Sequence, residues 1–159
     1  MARPSPRRHE IVGHTADMGL TAAAPDLPSL FEEAALALAE ASADLDARAV
    51  EPSDREVEAG EAIELETDDH VALAYAWLNE LIGLAQARGR ALARTEVARV
   101  ERTPDGAGWR LLGRAWFVPF AEGEGPGARA RLDVKSATYH RLAVRRGRGG
   151  WRLTAYLDV

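Results

Sequence analysis

Two stretches of the sequence repeat apolar residues every three or four positions, which is the pattern of a helix with one buried face. Asp26 stands before the first stretch as its predicted N-cap, and Pro28 is tolerated in a first helical turn. This helix is expected to end between residues 44 and 48. Its apolar face comprises Leu27, Leu30, Phe31, Ala34, Leu38, Ala41 and Leu45.

The second helical stretch follows Thr67 and Asp68, the two candidates for its N-cap, and Gly89 is its predicted C-terminal stop. The periodicity places Asn79 and Glu80 on the polar side of this helix. Its apolar face comprises Val71, Ala74, Trp77, Leu78, Leu81, Ile82 and Ala85.

Other stretches alternate apolar and polar residues, which predicts strands with one buried face. They cover residues 10–12, 18–24, 55–66, 91–102, 109–118, 132–144 and 151–159. Two helices among about seven mostly antiparallel strands predict an α+β fold in which the helices pack on the sheet, as a single domain.

The chain of 159 residues is long enough for one domain with its own core. Residues 1–8, rich in proline and arginine, are expected to form a flexible tail, and residues 9–159 are expected to form the domain. No apolar run approaches the roughly 20 residues of a membrane span, and no signal-peptide pattern follows the basic start. A soluble, cytoplasmic protein with no membrane partner is therefore expected.

Composition and charge exclude several kinds of functional site. The chain has no cysteine, so thiolate metal sites and cysteine nucleophiles are excluded, and any metal would be bound by oxygen or imidazole. The net charge of -5 argues against strong direct binding of nucleic acid. Arg145, Arg146 and Arg148 form one small basic cluster in a predicted hairpin turn, where a solvated loop is a simpler interpretation than an RNA contact.

The terminal hairpin permits a geometric prediction. If its turn is centred near residue 148, Asp158 lies across from residues 138–139. Lys135 then lies near the Val159 carboxylate. Lys135 is also the only lysine of the chain, which suggests a position that favours a compact ammonium over a guanidinium group.

Asp17 and Asp158 are candidate metal ligands. If they are adjacent, their carboxylates and the α-carboxylate of Val159 make three anionic groups that repel one another unless a cation lies between them. Hard oxygen donors of this kind bind calcium, magnesium or manganese. For either aspartate alone, the simpler interpretation is a turn or capping residue at Asp17 and an exposed strand residue at Asp158.

The remaining polar residues have ordinary structural interpretations. His14 and His140 fit partly buried, hydrogen-bonded histidines, and Tyr139 fits a packing role. The acidic residues before His70 are better explained by helix capping than by metal binding. The glycine-rich run at residues 123–127 lacks the lysine and hydroxyl residue of a phosphate loop, and no serine lies in a nucleophile-elbow pattern.

Five segments carry a family resemblance. They occur in family order and together span nearly the whole chain from Glu10 to Val159, so the chain resembles the archease family. The segments are HTADMGL at residues 14–20, LFEEAA at 30–35, WLNEL at 77–81, VKSATYH at 134–140 and LDV at 157–159.

The resemblance implies a small α+β protein that is not an enzyme but activates one. Archeases activate the RtcB-type RNA-splicing ligase, which uses GTP to join a 2',3'-cyclic-phosphate or 3'-phosphate RNA end to a 5'-hydroxyl end. The expected role is therefore to promote guanylylation of the ligase histidine and multiple turnover, in tRNA splicing or RNA repair.

The resemblance also assigns expected roles to residues. Asp17 and Asp158 match the acidic metal-binding positions, with the Val159 carboxylate close by, and Lys135 matches a functional lysine. His14, Tyr139 and His140 are expected to face the ligase or its nucleotide. Three features depart from the family pattern and concern the partner-facing loop more than the acidic site: Arg114 after Gly113, Ser136 in place of alanine, and the glycine-rich insertion after Phe120.

Two other function classes stay open at this point. Two carboxylates and a divalent ion suffice for a stand-alone metal-dependent phosphohydrolase or nuclease, although the sequence shows no clear general base or phosphate-gripping set of arginines. A chaperone-like binding module would use the apolar stretch at residues 116–120 as an exposed patch.

Overall fold

The computed structural model of the chain describes residues 4–13, 17–45 and 60–159. These residues form two helices, α1 (Leu27–Ser42) and α2 (His70–Arg88), and nine strands. The predicted α+β class is confirmed, with nine strands where about seven were expected. The strands are β1 (Arg8–Gly13), β2 (Asp17–Ala24), β3 (Ala43–Asp44), β4 (Glu61–Thr67), β5 (Arg90–Arg102), β6 (Trp109–Pro119), β7 (Arg129–Ala130), β8 (Ser136–Gly147) and β9 (Gly150–Asp158).

The strands form three sheets, and all paired strands in them run antiparallel. The largest has the order β1-β2-β9-β8, the second β4-β6-β5, and the third consists of β3 and β7. Helix α1 packs against β2 and β5, while α2 packs against β8 and β4. Neither helix is long and apolar enough to cross a membrane.

The helices bury their apolar faces between the two larger sheets. Phe31 of α1 and Trp77 of α2 are 0% exposed. The indole Nε1 of Trp77 donates a hydrogen bond to the backbone oxygen of Phe31 at 3.0 Å, so the one polar atom of that side chain is satisfied inside the core. The predicted apolar faces are confirmed within the helices, whereas Leu45 lies beyond the end of α1.

The ends of the helices agree with the predictions only in part. The Asp26 N-cap is confirmed, since its carboxylate accepts a hydrogen bond from the Ser29 N–H at 2.8 Å. Helix α1 ends at Ser42, earlier than predicted, because Ala43 and Asp44 leave the helix to pair with β7.

Asp69 caps the second helix, so both predicted caps, Thr67 and Asp68, are wrong. The Asp69 carboxylate accepts a hydrogen bond from the Ala72 N–H at 2.7 Å, and this confirms capping as the role of the acidic run. At the other end Gly89 has a φ of 60°, a left-handed conformation that glycine adopts readily, which confirms the predicted stop.

Two predicted strands have different bounds. Strand β4 covers Glu61–Thr67, and the predicted residues 55–59 lie outside the described part of the chain. Strand β8 begins at Ser136 and ends at Gly147, so the predicted strand over residues 132–144 was placed too early.

The terminal hairpin has a different register from the predicted one. Asp158 pairs with Ser136, not with residues 138–139. The cause is an irregularity in β8: between the pairs Thr138–Tyr156 and Ala143–Thr154, four residues of β8 (139–142) stand against one of β9 (155). Within this irregularity Arg141 has a φ of 55°, the one positive φ among the described residues other than glycine.

Candidate metal centre

Asp17 and Asp158 occupy directly opposed positions on neighbouring strands. Asp17 is the first residue of β2, Asp158 is the last residue of β9, and the register pairs them. Opposed residues of an antiparallel pair carry their Cβ atoms about 4.5–5.5 Å apart on one face of the sheet. Both aspartates are exposed. The structure thus brings together two carboxylates that repel each other in the absence of a cation.

Both carboxylates lie on the open face of the four-stranded sheet. Along β9, Leu153, Ala155 and Leu157 are 0% exposed and point towards the helices. Because successive side chains of a strand alternate between faces, Tyr156 and Asp158 lie on the other side. The chain continues from this exposed corner into Val159, which is 37% exposed.

Lys135 borders the same corner. Its backbone N–H donates a hydrogen bond to the backbone oxygen of Asp158 at 2.8 Å, and the following residue, Ser136, pairs with Asp158. The Lys135 side chain is exposed. The only lysine of the chain therefore lies beside Asp158 and Val159, directly before the strand that pairs with β9.

Two side chains of α2 hold the segment around Lys135. Asn79 donates from Nδ2 to the oxygen of Ala137 at 3.1 Å and accepts from the N–H of Ala137 at 2.9 Å. Gln86 donates to the oxygen of Val134 at 3.0 Å. The prediction that Asn79 lies on the polar side of the helix is wrong, because its amide faces β8 and pairs with that strand's free edge.

Sequence reasoning missed Asn79 and Gln86 as supports of the candidate centre. Their spacing could have indicated this role. The two residues are seven positions apart, so they lie on one face of a helix, two turns from each other. A hydrophobic pattern sorts such residues as solvent-facing because it does not consider side chains that bond to a neighbouring backbone.

Aromatic residues surround the corner. Tyr139 stacks on Tyr75 of α2 with ring centroids 3.9 Å apart and stays 57% exposed. His140 meets the edge of Tyr156 at 6.1 Å. Tyr156 in turn lies over Gly19, whose Cβ, if one were present, would lie 3.2 Å from the tyrosine ring. Tyr139 and His140 are the first two residues of the irregular part of β8.

Comparison with protein families matches residues 9–159 to the Archease protein family. The chain belongs to the archease family. This confirms the resemblance that the five sequence segments indicated.

Individual relatives cover nearly all of the chain. The protein archease of Methanopyrus kandleri is 34% identical over 150 residues, covering 94% of this chain and 98% of its own. That of Thermococcus gammatolerans is 33% identical over 141 residues, covering 87% and 88%. The solution structure of Methanobacterium thermoautotrophicum protein 1598 has a TM-score of 0.72 and 28% identity, covering 95% of this chain and 98% of that one.

Three of the five family segments meet at the acidic corner. The first segment supplies Asp17, the fourth supplies Lys135, and the last supplies Asp158 and Val159. His14 lies outside the described residues. Asn79 belongs to the third segment, so the archease motif on α2 contains the side chain that holds β8.

The donor set at the corner fits a hard divalent cation. Among the described residues, no three histidine, aspartate or glutamate side chains converge as a metal site, so an ion at this corner would have Asp17 and Asp158 as its two side-chain ligands. Val159 adds oxygen donors one residue further on. Calcium, magnesium and manganese accept carboxylate oxygens together with water, so two or three such ligands at an exposed corner are compatible with all three ions.

Other sequence candidates have structural roles. His70 contacts the oxygen of Val144 at 3.3 Å and meets the edges of Trp109 and Trp151. In the apolar stretch at residues 116–120, Phe117 is 2% exposed and Val118 is 3% exposed. Phe120, at the end of the stretch, is 41% exposed, so the patch expected of a chaperone-like module is buried in part and exposed at its end.

Proposed function

We propose that this member of the archease family activates an RtcB-type RNA ligase by promoting guanylylation of the ligase histidine and its multiple turnover, in tRNA splicing or RNA repair. The observation that carries the proposal is the opposed pair Asp17 and Asp158, with Lys135 hydrogen-bonded beside them. Membership of the family supports it, because these residues lie in the segments that carry the resemblance.

In this proposal Asp17, Asp158 and the Val159 carboxylate would hold one divalent ion of calcium, magnesium or manganese. When bound, the ion supplies positive charge at an exposed corner, where phosphate oxygens of a nucleotide are able to approach. The carboxylates keep the ion on the open face of the sheet, and the strand pairing between β2 and β9 sets their separation.

The surrounding residues position the corner against the ligase. Lys135 offers a compact ammonium of the kind that binds phosphate, and Asn79 and Gln86 fix the backbone on either side of it. Tyr139 and His140 project from an irregular, exposed part of β8 and are the expected contacts with the ligase or its nucleotide. The chain itself performs no chemistry in this scheme.

The test is ligase guanylylation with purified components. A cognate RtcB-type ligase, GTP and a divalent ion are incubated with the chain, and the ligase–GMP adduct is followed in time. Asp17→Asn and Asp158→Asn are each expected to reduce the stimulation by at least about tenfold. Glu64→Gln, the loss of one exposed carboxylate on β4, is the matched control and should stimulate fully.

Folding of each variant is verified by circular dichroism and thermal unfolding. Full stimulation by both aspartate variants would contradict the assignment of the site. Hydrolysis of simple phosphate esters or RNA by the chain alone would favour the stand-alone hydrolase or nuclease instead.

A further inference from the structure

The face that carries Asp17 and Asp158 has a second charged region at its other end. Arg8 of β1 pairs with Ala23 of β2, Ala23 pairs with Arg152 of β9, and Arg152 pairs with Arg145 of β8. Opposed residues share a face, so three arginines lie in one row across the sheet. Arg152 precedes Asp158 by six residues on β9, a distance of about 20 Å along the strand.

Arg8, Arg152 and Arg145 form what we call the arginine row. Within the part of the chain that the structure describes, none of the three has a carboxylate oxygen within 4.0 Å. Arg145 and Arg152 are directly opposed like charges, an arrangement that destabilises a sheet. An anion bound at the row would remove that repulsion.

A groove of about 350 Å³ is lined by two residues of the row. Its lining includes Arg8 and Arg152 with Thr21 and Ala23 between them, and Glu10 on the β1 side. Neighbouring strands are about 4.8 Å apart, so the backbones of Arg8 and Arg152 flank Ala23 at about 10 Å from each other. The residue between the two arginines, Ala23, carries only a methyl group, and guanidinium groups form bidentate hydrogen bonds with phosphate.

Between the row and the acidic corner, the same face carries groups that contact nucleic acid in other proteins. Thr21 and Thr154 form one opposed pair, and Thr138 and Tyr156 form another, nearer to Asp158. Hydroxyl groups hydrogen-bond to phosphates and sugars, and aromatic rings stack with bases. The face therefore offers a continuous polar path from the arginines to the carboxylates.

We propose that the arginine row binds the phosphodiester backbone of single-stranded RNA and aligns the strand along the face that ends at Asp17 and Asp158. The choice of RNA rests on the proposed function, in which the activated ligase joins RNA ends. Three arginines in a row, two of which line the groove, suit a repeating polyanion. The net charge of -5 opposes general binding, so the interaction is weak and steeply dependent on salt.

The experiment measures binding of a fluorescently labelled single-stranded RNA of about 20 nucleotides to the chain alone, by anisotropy, between about 50 and 200 mM salt. For the unmodified chain, the logarithm of the affinity should fall with the logarithm of salt concentration by about 0.7 per phosphate contact. The double variant Arg145→Gln and Arg152→Gln should bind more weakly, with a slope smaller by about 1.4.

The matched control is the double variant Arg99→Gln and Arg102→Gln, which removes the same charge from exposed positions on β5 of the other large sheet. It should keep the affinity and slope of the unmodified chain. An absence of RNA binding by the unmodified chain, or equal losses in both double variants, would overturn the proposal.

Guanylylation of the ligase without RNA separates this proposal from the proposed function. The arginine variant is expected to stimulate guanylylation normally. If RNA binding depends on the row while the chain fails to stimulate any ligase, the row is supported and the proposed function fails. If the arginine variant instead loses affinity for the ligase and RNA binding is unchanged, the row contacts an acidic protein surface and the RNA proposal is wrong.

Discussion

The side-chain amide of Asn79 bonds both backbone groups of Ala137, as a neighbouring strand would. Strand β8 is the last strand of its sheet, so its outer edge lacks a strand partner there, and Asn79 satisfies one residue of that edge. Ala137 follows Ser136, which pairs with Asp158. A single residue of α2 thereby fixes the position of the strand that borders the candidate metal centre.

Asn79→Ala should lower the free energy of unfolding by about 1–3 kcal/mol, because it leaves a backbone donor and acceptor of a buried residue without partners. Urea denaturation measures the loss, and amide exchange at Ala137 should accelerate. Glu80→Ala, at the exposed neighbouring position, is the control and should change stability little. Equal stability of the two variants would show that the Asn79 bonds contribute nothing.

Two glycine-to-alanine substitutions should have opposite effects. At Gly19 the new methyl group would lie 3.2 Å from Cε1 of Tyr156, so the ring must shift, and we expect a loss of about 1 kcal/mol. At Gly83, inside α2, nothing lies within 4 Å, and the gain in helix propensity should stabilise the protein by about 0.5–1 kcal/mol. Thermal unfolding compares them, and changes of the same sign would refute this packing argument.

Stability should also depend on pH through His9. Burial lowers the pKa of His9, but its hydrogen bonds to Glu33 at 2.8 Å and Glu40 at 2.7 Å, with their negative charges, outweigh burial and raise the pKa above 6.5. A raised folded-state pKa gives stability that is present below the unfolded pKa and is lost as pH rises through the folded one. The carboxylate of Glu33 also accepts a hydrogen bond from the guanidinium group of Arg7 at 2.9 Å, so it is shared between Arg7 and His9.

The measurement is the stability difference between the unmodified chain and His9→Gln, by urea denaturation at about pH 5.5 and about pH 9. The advantage of the histidine should be larger at the lower pH. Glu40→Gln should reduce that pH dependence, because it removes one of the two carboxylates. An advantage that does not change with pH would contradict the proposed charge on His9.

The sequence predicted the parts of this fold that follow from local rules. Periodicity located both helices, and Asp26 and Gly89 marked ends because caps act within a few residues. The predicted register of the terminal hairpin was wrong by two to three residues, because the irregularity at residues 139–142 depends on how β8 meets β9 and on the positive φ of Arg141. The alternation of apolar and polar residues along a strand does not show where extra residues are inserted.

The candidate site, too, was predicted from the sequence only in part. Asp17 and Asp158 stood out as polar residues in strand-forming sequence, and their opposition is a property of the sheet that the structure supplies. The arginine row could not be predicted from the sequence. Arg8 is more than 130 positions from Arg145, and only the strand order β1-β2-β9-β8 aligns them. Asn79 was misplaced because its partner is a backbone segment, which no pattern of side chains reports.

Removal of a divalent ion should invert the effect of Asp158→Asn on stability. In a chelator, the variant is expected to unfold at the same temperature as the unmodified chain or higher, because the repulsion from Asp17 is gone. In excess calcium, the unmodified chain should be the more stable, by about 2.7 kcal/mol at a hundredfold excess over the dissociation constant. Glu64→Gln should respond to calcium as the unmodified chain does, and the same ranking with and without calcium would contradict a shared ion.

The central claim is that Asp17 and Asp158 share one divalent ion, and a crystal structure grown in calcium tests it most directly. We expect one ion within about 2.3–2.6 Å of carboxylate oxygens of both aspartates, with Val159 as a further ligand. Density for calcium at other positions, with neither carboxylate in contact with an ion at saturating calcium, would contradict it.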